Sequence, residues 1–200
     1  MAVTVTDIII TPALVYYAPV GEAFPDETDV DYQEAWGGNW VQIAATVTPV
    51  MLANDRNEFE AMIQQSTLPI KRVIVDEHYA IETQLAELTA TKLSLAVGGS
   101  VATTAAGASQ RAYEQLSAGG SFTLTERAWG FEGLYKDQLG NQFPIRIFMR
   151  KATARLNGQL SFSKAAVAGI PLRVDALGDL SQAEGAQAIE FQRVTAEATA

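Results

Sequence analysis

Over most of its length this chain alternates apolar and polar residues with a period of two, and that pattern commits it to β-structure. In an extended strand successive side chains point to opposite faces, so alternation yields one dry face and one wet face. Residues 40–47 set Val41, Ile43, Ala45 and Val47 against Gln42, Ala44 and Thr46. Residues 57–64 set Phe59, Ala61 and Ile63 against Glu58, Glu60, Met62 and Gln64, and residues 79–85 set Tyr79, Ile81 and Leu85 against Glu82 and Gln84. In the second half, Trp129, Phe131 and Tyr135 oppose Glu132 and Lys136, and the polar stretch 137–141 with Gly140 supplies a hairpin turn. Phe143, Ile145, Ile147 and Met149 return opposite Gln142, Arg146 and Arg150. Leu156, Leu160 and Phe162 then alternate with Arg155, Asn157, Gln159 and Ser161, and Ile170, Leu172 and Val174 with Arg173 and Asp175. The expected fold is mainly β, a meander of antiparallel strands each with one wet face.

One helix interrupts the strands. Leu88, Thr91 and Leu95, with Ala90, Leu93 and Val97 between and beyond them, follow helical spacing, and Gly98 and Gly99 supply a C-terminal stop. Residues 98–121 are rich in Ala, Gly, Ser and Thr, with Arg111, Tyr113 and Leu116 as the few larger side chains, and are expected to form a loop. Residues 21–38 are acidic, carry Pro25 and have weak periodicity, which makes them a second loop. Both are expected to gain order from neighbouring subunits. No clean linker divides the chain, so its 200 residues are read as a single domain, long enough to bury roughly 70% of the unfolded surface.

The residues that carry chemistry are sparse. There is no cysteine, which excludes disulfides, thiolate catalysis and Cys-based zinc sites. The single histidine, His78, sits in DEHYA without the second histidine that a helical zinc pair requires. Ser161-Phe162-Ser163-Lys164 matches S-x-x-K, yet that motif works on a helix, where positions i and i+3 share a face; on a strand they diverge. No phosphate-binding glycine loop occurs. Glu58 and Glu60 share a strand face, but paired glutamates on a wet face are ordinarily solvated charges. At period two, the aromatic set Trp36, Trp40, Trp129, Phe131 and Tyr135 reads as core before it reads as a sugar platform. No enzymatic activity, metal or cofactor is expected.

Charge is distributed unevenly. Residues 1–55 hold eight acids and no base, and the remainder holds fifteen acids and fourteen bases, for a net charge of −9. The first base is Arg56, which leaves no basic n-region for a secretory signal, and the longest uncharged run, 35–54, is too polar for a membrane span. Synthesis in the cytoplasm is therefore expected. Between Lys136 and Arg173 seven bases face one acid, Asp137. An acidic front and a basic later segment can pair between subunits or remain solvated surfaces of opposite sign. Charged residues make up 18% of the chain against about 25% in ordinary domains, which suits a surface partly covered by neighbours. Net −9 disfavours capture of DNA by the protein as a whole.

Three passages carry a resemblance. ALVYYAPVGEAFPD (13–26) followed by WGGNWVQIAATVTP (36–49) forms an apolar run, an acidic Pro-containing loop and a Trp-led strand. QQSTLPIKRVIVDEHYAIETQLAELTATKLSLAVGG (64–99) reads as strand, turn, strand and an E-x-T helix, and GIPLRVDALGD (169–179) as a closing strand and A-L-x-D loop. In this order the passages resemble the major tail tube proteins of long-tailed bacteriophages. Residues 98–121 match no pattern of that family.

The resemblance implies a β-sandwich or barrel-like subunit with a flanking α-helix, and a structural role without active site or cofactor. It further implies hexameric rings whose strands join into a continuous inner barrel, stacked into the tail tube of the virion. The implied partners are further copies of the chain, a tape measure protein, terminator and tip proteins, and double-stranded DNA passing through without sequence-specific binding; no membrane is implied. If the alternating strands build the inner wall, Glu58, Glu60, Glu82 and Gln84 are its lumen-lining candidates. Asp26, Glu27, Asp29 and Asp31 on one side and Arg146, Arg150 and Arg155 on the other are candidates for contacts between subunits. Other readings are the tube of a contractile secretion system, a monomeric glycan-binding sandwich using Trp36, Trp40 and Trp129, and a hydrolase using the acidic pairs.

Overall fold

The structure, a computed structural model, describes residues 13–25, 30–62, 68–120, 123–136, 140–160 and 169–195. Asp26, Glu27, Asp29, Ile63, Gln64, the S-x-x-K string and the centre of the turn at 137–141 lie outside these. The elements run β1 (Leu14–Ala18), β2 (Val41–Ala45), β3 (Met51–Ala61), β4 (Lys71–Leu85), α1 (Ala90–Val97), β5 (Ser100–Thr104), β6 (Tyr113–Ser117), β7 (Glu126–Lys136), β8 (Gln142–Leu156), β9 (Ile170–Ala176) and β10 (Ile189–Arg193). Among the described residues the fold is mainly β with one short helix, as the period-two alternation and the helical spacing of 88–97 led one to expect.

One eight-stranded antiparallel sheet, ordered β2-β1-β7-β8-β9-β4-β3 with β10 also paired to β8, forms the body. β8 is fifteen residues long and changes partner along one edge, pairing with β10 over 145–149 and with β9 over 152–156. The sheet curls until β2 reaches the end of β4. There Thr46 bridges Leu85, the Val47 N–H donates to the Gln84 carbonyl at 2.8 Å, and the Ala86 N–H to the Ala45 carbonyl at 2.9 Å. Twist makes such curling the natural course for a sheet of this width, and closure protects its edges.

The inside of the curl is the core. Val15, Trp129, Phe131, Met149 and Ala152 meet Ile81, Leu85, Ile170, Leu172 and Val174 in a single buried cluster, with α1 contributing Leu93, Leu95 and Ala96. Thr89 caps the helix by accepting from the Lys92 N–H at 3.2 Å, and Gly98, at φ 75°, ends it. The acid Glu114 of β6 reaches the Ala90 N–H at 3.1 Å, meeting the positive end of the helix.

Several expectations need correcting. Residues 98–121 contain the paired strands β5 and β6, which stand against α1. The sequence hides them because none of their side chains is fully buried and most are exposed, so no dry face imposes an alternation. Gly99 is essential there: at φ 97° a Cβ would lie 2.2 Å from the Ser117 carbonyl oxygen. In β2 the pairing skips Ile43, which places both Ile43 and Ala44 in the core and breaks the expected face. Arg155 and Leu156 belong to the end of β8 rather than opening a new strand. The strand expected over 57–64 begins at Met51, and its described part lacks the dry face, since Phe59 is 61% exposed. β10 had no signal in the alternation.

Candidate functional site

The first unexpected feature lies on the outer face of β1, β7 and β8. Glu132 and Arg146, assigned to wet faces by alternation, are 0% and 1% exposed. They stand directly opposite in register, and the Arg146 Nε donates to Glu132 at 2.9 Å. The loop between β1 and β2 folds over them. Trp36 stacks on Tyr16 at 3.9 Å, and its ring covers Gly130 so closely that a Cβ would lie 2.2 Å away. Glu132 also accepts from the Tyr16 hydroxyl at 3.3 Å, the Trp36 indole at 3.4 Å and the Gln33 N–H at 3.2 Å, while Arg146 donates to the Val30 carbonyl at 2.6 Å. A buried charge is tolerated when it is paired and its remaining sites are filled, and these are. Counting residue pairs outward from the 137–141 turn would have aligned Glu132 with Arg146. Arg146 is thus committed inside its own subunit and leaves the set of candidates for contacts between subunits.

Burial, followed by the Glu132 charge, raises the Tyr16 phenol above its ordinary value. A raised folded-state value contributes stability that is fully present below the unfolded value, about pH 10, and is lost as pH rises beyond it. The stability advantage of wild type over Tyr16→Phe is therefore expected to shrink above about pH 10, as measured by denaturant unfolding across pH. An unchanged difference would remove Tyr16 from the linkage.

The second feature is an open charged face. On the side of β8, β9 and β4 away from the core lie Lys151, Thr153 and Arg155, then Arg173 and Asp175, then Glu82 and Gln84. Their charges are cross-linked. Arg155 donates to one oxygen of Asp175 at 2.8 Å, Arg173 to the other at 2.7 Å and also to Glu82 at 2.6 Å, and Lys151 meets Glu126 at 3.0 Å. Asp175, then Glu82, hold the Arg173 guanidinium proton more firmly than usual.

Beyond Tyr79 and Asn54 the β3–β4 pair leaves the body as a two-stranded arm. It has no third strand among the described residues and little burial on either face. Strand pairing puts Met51 beside Glu82, so Glu58 and Glu60, which are even-numbered on β3, project from the opposite face to Glu82 and Gln84. The four lumen candidates therefore do not share one wall, and Arg155, expected elsewhere, shares a face with Glu82. Glu60 pairs with Arg72 at 2.7 Å, while Glu77 collects Arg56, Asn54 and Tyr79. The Tyr79 hydroxyl, ahead of Arg56 and Asn54, holds the Glu77 carboxyl below its ordinary range. The arm exposes Phe59, Met62, Leu68, Ile70, Val73 and Val75.

The remaining candidates are dispersed. Arg150 pairs with Glu190 and lies 4.6 Å over the Phe24 ring, and Asp31 is exposed in a turn closed by Glu34. His78 contacts Asp76 at 3.1 Å on the exposed arm. Trp36, Trp129, Phe131 and Tyr135 are buried, which leaves the half-exposed Trp40 alone of the proposed sugar platform. Among the described residues no cluster of three or more His, Asp or Glu could hold a metal ion, and no helix is long and apolar enough to cross a membrane.

The model of the family described as Phage tail tube protein matches residues 3–200. The chain belongs to the phage tail tube protein family. No curated protein matches it. The curled sheet, the open charged face and the exposed arm are thus features of a tail tube protein, a structural component of the virion tail that assembles with copies of itself and with other tail components. The family match extends across residues 98–121, which the short motifs of the sequence had left unassigned.

Proposed function

We propose that this tail tube protein polymerises as stacked, hexameric rings into a tube, with the open face of β8, β9, β4 and β3 turned to the bore through which the genome leaves. One observation carries the reading. A sheet face of polar and mutually neutralised charges adjoins an arm whose apolar side chains Phe59, Ile70, Val73 and Val75 are exposed and whose two strands pair with no third strand among the described residues. A lone two-stranded ribbon is marginal in water, and a long exposed edge is an invitation to pair. Neighbouring copies answer both needs when strands from successive subunits join around a barrel.

On this reading Glu82 and Gln84 line the bore, joined by Arg155, Arg173 and Asp175. Glu58 and Glu60 turn toward a neighbouring subunit, and Asp26, Glu27, Asp29, Asp31 and Arg150 remain candidates for contacts between subunits. The tape measure protein and then double-stranded DNA occupy the bore, terminator and tip proteins close the ends, and the subunit is made in the host cytoplasm before assembly. Electron microscopy of the purified protein at rising concentration is expected to show rings or tubes with a central channel. Monomers alone, at every concentration and salt, would reject the proposal.

A further inference from the structure

We infer that Asp175 keeps the bore from holding DNA, by occupying the two arginines that would otherwise seize phosphates. The inference rests on the reading that the open face lines the bore. On that face Arg155 and Arg173 stand opposite each other on β8 and β9. Asp175 lies two residues along β9 on the same face, and its two oxygens serve one arginine each, at 2.8 Å and 2.7 Å. Glu82 takes a further nitrogen of Arg173 at 2.6 Å. Two acids and two bases therefore sum to zero within a patch whose most accessible member, Arg155, has 61% of its side chain exposed.

Duplex DNA presents about one negative charge per 1.7 Å of axis, and each phosphate neutralised by a protein cation adds about 0.9 to the slope of log affinity against log salt. A bore repeating free arginines from subunit to subunit would multiply that grip along the duplex. Removing the cations would be one way to avoid it. This chain keeps them and pairs each with a carboxylate, so that the strands stay cross-linked while the charges of the patch sum to zero. Asp175 is the shared member, and losing its charge releases Arg155 wholly and Arg173 in part. It is a positioning residue for passage, since it acts through the arginines.

The test uses tubes assembled from the full-length chain and a short fluorescent duplex that sediments only when retained. Asp175→Asn tubes are expected to retain at least about tenfold more duplex than wild type at low salt and to release it as salt rises. Adding Arg155→Gln to the same chain is expected to return retention to the wild-type level, which a merely structural effect of Asp175 would not do. The chain has no cysteine, so Thr153→Cys is a clean reporter beside the ladder. Its protection in tubes from a maleimide polymer too large to enter marks the face as inward. Protection with unchanged, or salt-independent, retention in Asp175→Asn overturns the role of Asp175 while the reading of the bore stands. Full labelling in tubes overturns both. If Asp175→Asn builds no tubes, Glu82→Gln, which releases one nitrogen of Arg173 and leaves its Nε paired with Asp175 as before, replaces it with a smaller expected gain. Failure of both to assemble makes the ladder a folding element and overturns the inference.

Discussion

Glu132→Ala is expected to cost the unassembled subunit about 3–5 kcal/mol, because it leaves the Arg146 guanidinium buried without its counter-charge. Against a total stability of about 5–15 kcal/mol for a domain, that is a large fraction. The loss is compounded locally, since the Tyr16 hydroxyl, the Trp36 indole and the Gln33 N–H all donate to the same carboxylate. The covering loop should loosen with it, giving a red shift in the emission of Trp36 as water reaches the ring. Denaturant unfolding at low protein concentration measures the first effect and tryptophan fluorescence the second. The double replacement Glu132→Leu with Arg146→Met should recover much of the loss, because an apolar pair of similar volume carries no desolvation cost. A loss below about 1 kcal/mol for Glu132→Ala would mean that water reaches the pair and that it contributes no more than a surface ion pair does.

What the sequence discloses and what it conceals follow from how each face is covered. β7, β9 and the inner half of β4 are legible because one face meets a continuous apolar core, so Ile81, Leu85, Leu172 and Val174 fall on the expected parity. The helix is legible through its apolar spacing and terminal glycines. Glu132 and Arg146 mislead because alternation marks a face as polar without saying that another layer lies over it. That layer is supplied by Trp36 and Phe24, which are close in space and distant in sequence. The relative orientation of Glu58 and Glu82 was hidden for a different reason. Each strand alternates by itself, and no single strand records that Met51 stands beside Glu82. The extra residue in β4 at the step where Asn57 faces Asp76 and Glu58 faces Ile74 obscures the parity further. Pairing between elements is tertiary information, and the composition of either strand does not hold it.

The arm allows assembly to be separated from folding. Phe59 and Val73 are opposite partners on one face of the ribbon, 61% and 46% exposed, and neither belongs to the buried clusters. Phe59→Ser with Val73→Ser should therefore leave the stability of the isolated subunit within about 0.5 kcal/mol of wild type, as for most surface substitutions. If a neighbouring subunit covers the pair in the tube, each side chain contributes about 1.5–3 kcal/mol of burial to the contact. Their joint loss then amounts to about 3–6 kcal/mol per subunit, or a rise of about 10² to 10⁴ in the concentration needed for polymerisation. Light scattering against protein concentration reads the threshold, and thermal unfolding of the unassembled protein supplies the control. Substitution of Val97, exposed at the end of α1 and away from the arm, provides a comparison of similar chemistry. A double variant that polymerises at the wild-type threshold would show that the arm faces solvent in the tube, and the contact between subunits would then have to lie on another surface.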